Sequence, residues 1–142
     1  MRIYIYGRST KAASNIEDAE IEFNGDTTDA NYRRQFQESY GSSSTFFEGA
    51  DNNTISARLP AASSPANSPG VYRFDIPYYA DTTFNKIVFG QGAMRYDNSS
   101  LHLLALSHFM EWENTAAIDQ IDLKLPSGNW VTGTKISLYG IT

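Results

Sequence analysis

Tyr72-Arg73-Phe74-Asp75-Ile76 sets a large apolar side chain at every second position, with a charged one between each pair. Side chains of a strand point alternately to its two faces, so this stretch reads as a β-strand with one face in a core and one in water. The same period recurs elsewhere. Ala19, Ile21 and Phe23 alternate with Glu20 and Glu22; Ile121, Leu123 and Leu125 alternate with Asp122 and Lys124. Near the end, Ile136 and Leu138 alternate with Lys135, Ser137 and Tyr139. Further strands are expected at Arg2–Gly7, Tyr32–Glu38, Thr54–Leu59 and Phe84–Gly90. About eight or nine short strands between turn-rich stretches predict an all-β antiparallel β-sandwich, with residues 1–142 as a single domain.

The turns agree with this pattern. Asn24-Gly25-Asp26 and Ser127-Gly128-Asn129 supply residues that tolerate positive φ, which tight strand connections require. Ser63-Ser64-Pro65-Ala66-Asn67-Ser68-Pro69-Gly70 has the composition of a linker, but a strongly patterned strand follows at once, so a long inter-strand loop is expected. Gly41-Ser42-Ser43-Ser44 reads as a second, flexible loop. No internal repeat is visible.

One segment breaks the alternation. From Ser100 to Trp112 both parities are largely apolar, and a buried helix is the alternative to a strand. As a strand, its second face needs cover that a two-layer sandwich does not give, and a subunit interface would supply it. Leu104, Leu106, Met110 and Trp112 are the candidate oligomer interface. Asn85, Ile87 and Phe89, opposite Phe84, Lys86 and Val88, raise the same question more weakly.

The chain is 41% hydrophobic and 13% aromatic, which suits a folded protein. It has no cysteine, so disulfides and thiolate metal sites are excluded. A formal net charge of −5 argues against nucleic acid as a partner of the whole chain. The opening Met1-Arg2-Ile3-Tyr4-Ile5-Tyr6 resembles the start of a signal peptide but is interrupted at Gly7-Arg8, and no later run approaches a membrane span. No membrane partner and no cofactor are expected.

Candidate chemistry is sparse. Asn24-Gly25-Asp26-Thr27-Thr28-Asp29-Ala30-Asn31 is rich in oxygen ligands, but it lacks the EF-hand spacing and the terminal bidentate glutamate. A hairpin turn accounts for the same composition, so no metal is expected. His102 and His108 would lie roughly 20 Å apart on one strand at ~3.3 Å per residue, too far for joint ligation. Glu111 and Glu113 form an i, i+2 carboxylate pair compatible with a retaining glycosidase, though adjacent acids on a wet strand end are common. No nucleophile elbow, P-loop or Rossmann fingerprint occurs, and no catalytic residue is assigned. Tyr78-Tyr79 after Pro77, with Trp130 in a turn, would make a stacking platform for sugars; the competing reading is that such residues fill cores and interfaces. Asn52-Asn53-Thr54 and Asn98-Ser99-Ser100 match the N-glycosylation pattern.

Several short segments, in order along nearly the whole chain, carry a family resemblance. They are Tyr6-Gly7-Arg8-Ser9; Phe23-Asn24-Gly25-Asp26-Thr27 with Asn31-Tyr32; Pro60-Ala61-Ala62-Ser63-Ser64-Pro65-Ala66-Asn67; and Tyr79-Ala80-Asp81-Thr82-Thr83-Phe84-Asn85-Lys86. Trp112 to Thr115 with Ala116-Ala117-Ile118, Ser127-Gly128-Asn129-Trp130-Val131-Thr132-Gly133, and Leu138-Tyr139-Gly140-Ile141 complete the set. The sequence resembles the phage virion structural domain found in capsid decoration proteins and at the tips of tail fibres and spikes. The resemblance implies a jelly-roll β-sandwich, no enzymatic activity, and frequent trimers. With Met1 directly before the first expected strand and no room for an anchor, a decoration protein is the favoured expectation. It would be a homotrimer on the outer surface of the major capsid protein lattice, made in the host cytoplasm. A tail-fibre or spike tip that binds host glycans is the alternative.

Overall fold

The computed structural model describes residues 1–41, 43–49, 55–95, 97 and 103–140, at 45–49 and 55 the backbone only. Among the described residues, ten strands form two antiparallel sheets. They are β1 (Arg2–Gly7), β2 (Ile16–Phe23), β3 (Tyr32–Tyr40), β4 (Ser43–Gly49), β5 (Ile55–Pro60), β6 (Gly70–Asp75), β7 (Lys86–Arg95), β8 (Leu103–Trp112), β9 (Ile121–Lys124) and β10 (Lys135–Tyr139). The larger sheet runs β10-β1-β6-β7-β8-β3-β4, and the smaller runs β5-β2-β9. Three pairs are nested: β1 with β10, β2 with β9, β3 with β8. No helix among the described residues is long and apolar enough to cross a membrane.

The alternation in the sequence becomes the alternation of burial. Tyr72, Phe74 and Ile76 are buried, as are Ala19, Ile21 and Phe23 from the facing sheet, and they meet in one core with Ile3, Ile5 and Val88. At about 25 cal/mol per Å2 of apolar surface removed from water, this inter-sheet layer supplies the main drive to fold. Residues 103–112 are a strand, and the buried-helix alternative is overturned.

Two strand boundaries and one glycine differ from expectation for physical reasons. β7 continues past Gly90 to Arg95. Its glycines lie opposite Phe74 and Tyr72 in register, and those two rings stack at 6.3 Å and lean over the bare backbone. A Cβ on Gly92 would come within 1.9 Å of the Tyr72 ring, so glycine is required there by close approach. Ser43 and Ser44, read as loop, open β4, which pairs with β3 across a turn containing Gly41 at φ 56°. Gly128 does not take the positive φ expected of it. It is needed because a Cβ would meet Ser9 Oγ at 2.4 Å and Glu17 Oε2 at 2.5 Å.

The long loop between β5 and β6 is ordered by one side chain. The Arg8 guanidinium, half-buried, donates to the carbonyls of Pro65, Ser68, Ala61 and Ser64. Four charge-assisted bonds explain how a stretch with linker composition stays folded back on the sandwich.

Candidate functional site

The interface candidates of the sequence reading lie inside the chain. Leu104, Leu106, Met110 and Trp112 are 0–3% exposed and belong to the inter-sheet core. The stretch is two-sided, as its composition implied, but the uncovered side carries the other parity. Leu103 is 64% exposed and Phe109 55%. The smaller sheet covers only the inward face of the larger one, so the outward face is open along its length.

That open face is unusually apolar. Phe89 and Phe109 are cross-strand partners in β7 and β8, and their rings meet edge-to-face at 5.8 Å and 87°. Ile87 beside them is 42% exposed, and further along the face Val71, Tyr4 and Tyr6 are 38–49% exposed. Tyr139 on the edge strand packs edge-to-face on Tyr4 at 5.9 Å. A polar strip crosses the face beside Phe89: Asp75 pairs with Arg2 and with Arg73, at 3.2 Å for the latter, and Arg73 donates to Gln91. The free face of an antiparallel sheet normally reads polar. Arg73 and Gln91 therefore separate two exposed apolar patches, Ile87, Phe89 and Phe109 on one side and Tyr6 and Val71 on the other, and exposed apolar patches beside polar groups mark interaction surfaces.

One corner of this face bears an aromatic loop, residues 77–85, between β6 and β7. Tyr78 is 85% and Phe84 75% exposed. A cleft of about 340 Å3 lies between them, lined by Pro77, Tyr78, Asp81, Phe84, Asn85 and Ile87. A larger hollow of about 780 Å3 on the other side of Tyr78 reaches Met1, Arg2, Asp75 and Phe89. Of the candidate sugar platform only Tyr78 stands clear. Tyr79 packs against the core and its carbonyl accepts from Ile118. Trp130 bridges to Ser9, beyond the far end of β1, and packs against the core there. Phe84, expected to open a strand on the parity of Val88, instead stands in the loop, because β7 begins only at Lys86.

The other candidates resolve into structural roles. Asp26 Oδ1 accepts from the Thr28 amide, and Oδ2 accepts from Asn31 Nδ2 and from Trp112 Nε1, both at 2.8 Å. These bonds, foremost that from Trp112, hold its carboxyl below the usual range against the effect of burial. Asn24 Oδ1 accepts from the amides of Asp119 and Gln120. The Tyr32 hydroxyl donates to the Asp26 carbonyl and accepts from the Phe23 amide; burial pushes its pKa up to about 12. The side-chain oxygens of Asn24 and Asp26 are therefore engaged by the 119–120 amides, by the loop itself and by Trp112 of β8.

His108 faces inward, stacked on Phe36 at 5.6 Å, with no hydrogen-bond partner at either ring nitrogen. Burial, together with the charges of Arg34 and Arg58, pushes its pKa down to about 4. His102 and both glycosylation patterns lie outside the described residues. Glu111 accepts from Asn85 Nδ2, and Glu113 is paired with Arg33, which holds its carboxyl below the usual range. The lowered pKa of Glu113 is the opposite of what a general acid needs.

Two organising acids and bases escaped the sequence reading. Glu17, 1% exposed, accepts the Ser127 and Gly128 amides at 2.7 and 2.8 Å and the Ser9 hydroxyl. Lys86, 2% exposed, donates from Nζ to the carbonyls of Phe84 and Thr115. Charged residues at alternating strand positions look solvated in sequence, and only the fold shows which of them cap loop ends. Comparisons with protein-family models, with curated proteins and with solved structures each return no match.

Proposed function

We propose that this chain is a structural component of a phage virion, a capsid decoration protein that assembles with copies of itself and has no catalytic role. The observation that carries the reading is the open face of the seven-stranded sheet, where Phe89, Phe109, Ile87 and Val71 stand in water beside matched charges. Association across that face would bury the rings, with the Asp75 ion pairs beside them already matched within the chain. Three copies is the favoured count, on the strength of the sequence resemblance.

The same resemblance favours a jelly roll. The nested pairs β1–β10, β2–β9 and β3–β8 support it, since a rolled-up long hairpin pairs its strands from the ends inward. The β6-β7-β8 meander and the β3–β4 hairpin are departures from that scheme.

A protein that binds the assembled lattice and not its free subunits stabilises the lattice by mass action. Virions lacking it should therefore assemble and adsorb normally but release DNA at a lower temperature. Particles that withstand heat as before yet fail to adsorb would replace this reading with the tail-tip alternative.

A further inference from the structure

The aromatic corner at residues 77–85 is built more firmly than an idle loop. Tyr78 adopts φ 48°, a left-handed conformation uncommon for a bulky side chain, and it holds a fully outward ring there. The loop is tied down along the residues that follow it. The Asp81 amide donates to the Tyr78 carbonyl, and Asp81 Oδ1 accepts from the amides of Thr83 and Phe84. Lys86 Nζ holds the Phe84 carbonyl from within at 2.8 Å. Two exposed rings are thus fixed on either side of the 340 Å3 cleft, a volume at the low end of the roughly 300–1,000 Å3 typical of small-ligand sites.

The cleft's polar groups have a definite character. Asp81 Oδ2 and Asn85 Oδ1 receive no hydrogen bond from the described residues, whereas Asp81 Oδ1 and Asn85 Nδ2 are engaged. What remains is two acceptors and the Tyr78 hydroxyl, framed by flat apolar surfaces. A complementary ligand brings several donors and an apolar face. A pyranose has both, hydroxyls at its rim and a C–H face that lies flat on a ring. A cation would also find ring faces and a carboxylate. Such cages work by enclosing and desolvating the charge, however, and these rings are 85% and 75% exposed. Acidic sugars are disfavoured by the Asp81 carboxylate, by Glu111 beside Asn85 and by the net charge of −5.

We propose that the cleft between Tyr78 and Phe84 binds an uncharged pyranose, stacked on one of the two rings with its hydroxyls donating to Asp81 Oδ2 and Asn85 Oδ1. The cleft shares Ile87 with the face proposed for self-association, but its two rings and both free acceptors belong to the loop, so sugar binding and oligomer mass can be read separately.

Saturation-transfer NMR on the full chain tests this directly. The probes are methyl β-galactoside, methyl α-glucoside, methyl α-mannoside and N-acetylglucosamine, with sialic acid and choline beside them. At least one neutral sugar should receive saturation, at least fivefold more than sialic acid. The transfer should fall at least fivefold in Tyr78→Asn, whose side chain tolerates positive φ, and in Phe84→Ala, which carries the test alone should the first variant not fold. Transfer to none of the neutral sugars, or transfer unchanged in the folded variants, would overturn the proposal. So would displacement of the signal by equimolar choline, which reassigns the cleft to a cation. A change in oligomer mass in either variant would make the loop an interface element instead.

Discussion

Single residues decide how closely the two layers approach. Gly92 sits where the Tyr72 ring crosses β7, and a methyl group there would lie 1.9 Å from Tyr72 Cδ1. Gly92→Ala should lower stability by about 1–3 kcal/mol through overpacking, read as a shift in the denaturant midpoint at unchanged slope. Gly140→Ala, with nothing within 4 Å of the added carbon, is the control and should leave the midpoint in place. His108 makes a second residue-scale case. Its folded pKa of about 4 lies below the ordinary histidine value of 6.5, so the unfolded chain binds more protons between these values. Its contribution is therefore fully present above about pH 6.5 and is lost as pH falls toward 4, on the order of 3 kcal/mol at most. Urea midpoints taken between pH 4 and 7 should rise with pH in the wild type and rise distinctly less in His108→Leu. Equal slopes would mean that other groups dominate.

At the scale of elements, alternation was legible and loop chemistry was not. The strands at Tyr72–Ile76, Ala19–Phe23 and Ile121–Leu125 follow from period two alone, because one face of each must leave water. β4 was missed because Gly41-Ser42-Ser43-Ser44 has loop composition, and β7 was cut short at Gly90 because glycine weakens a strand unless an aromatic neighbour covers it. Arg8, Glu17 and Lys86 hold loops through bonds spanning from 2 to 111 positions along the chain, and no local pattern encodes the longer ones. The loop from Asn24 to Asn31 had the right atoms for calcium but uses them on Trp112, Thr28 and the 119–120 amides. Melting temperatures in EDTA and in millimolar calcium should accordingly coincide. A rise of several degrees with calcium would show that the loop opens those bonds to take the ion.

At the scale of the whole molecule, the sequence carried the two-sided character of residues 100–112 but assigned its faces the wrong way round. Parity within a strand says which residues share a face, and a stretch apolar on both faces gives no local reason to choose which one turns inward. The choice is set by β3 and β7 on either side, whose own buried residues Tyr32 and Val88 pair with Trp112 and Met110 in register. The outward face that remains, centred on Phe89 and Phe109, is the basis for expecting assembly. Light scattering coupled to size exclusion at micromolar concentration, on the wild type and on Phe109→Asp and Leu104→Asp, tests that expectation most directly. The wild type should run at about three times the 15.8 kDa chain mass. Phe109→Asp should run at 15.8 kDa with its melting transition kept, whereas Leu104→Asp should unfold, because it buries an unpaired charge in the core. A wild type that runs as a monomer, or a Phe109→Asp variant that keeps the wild-type mass, would contradict the account.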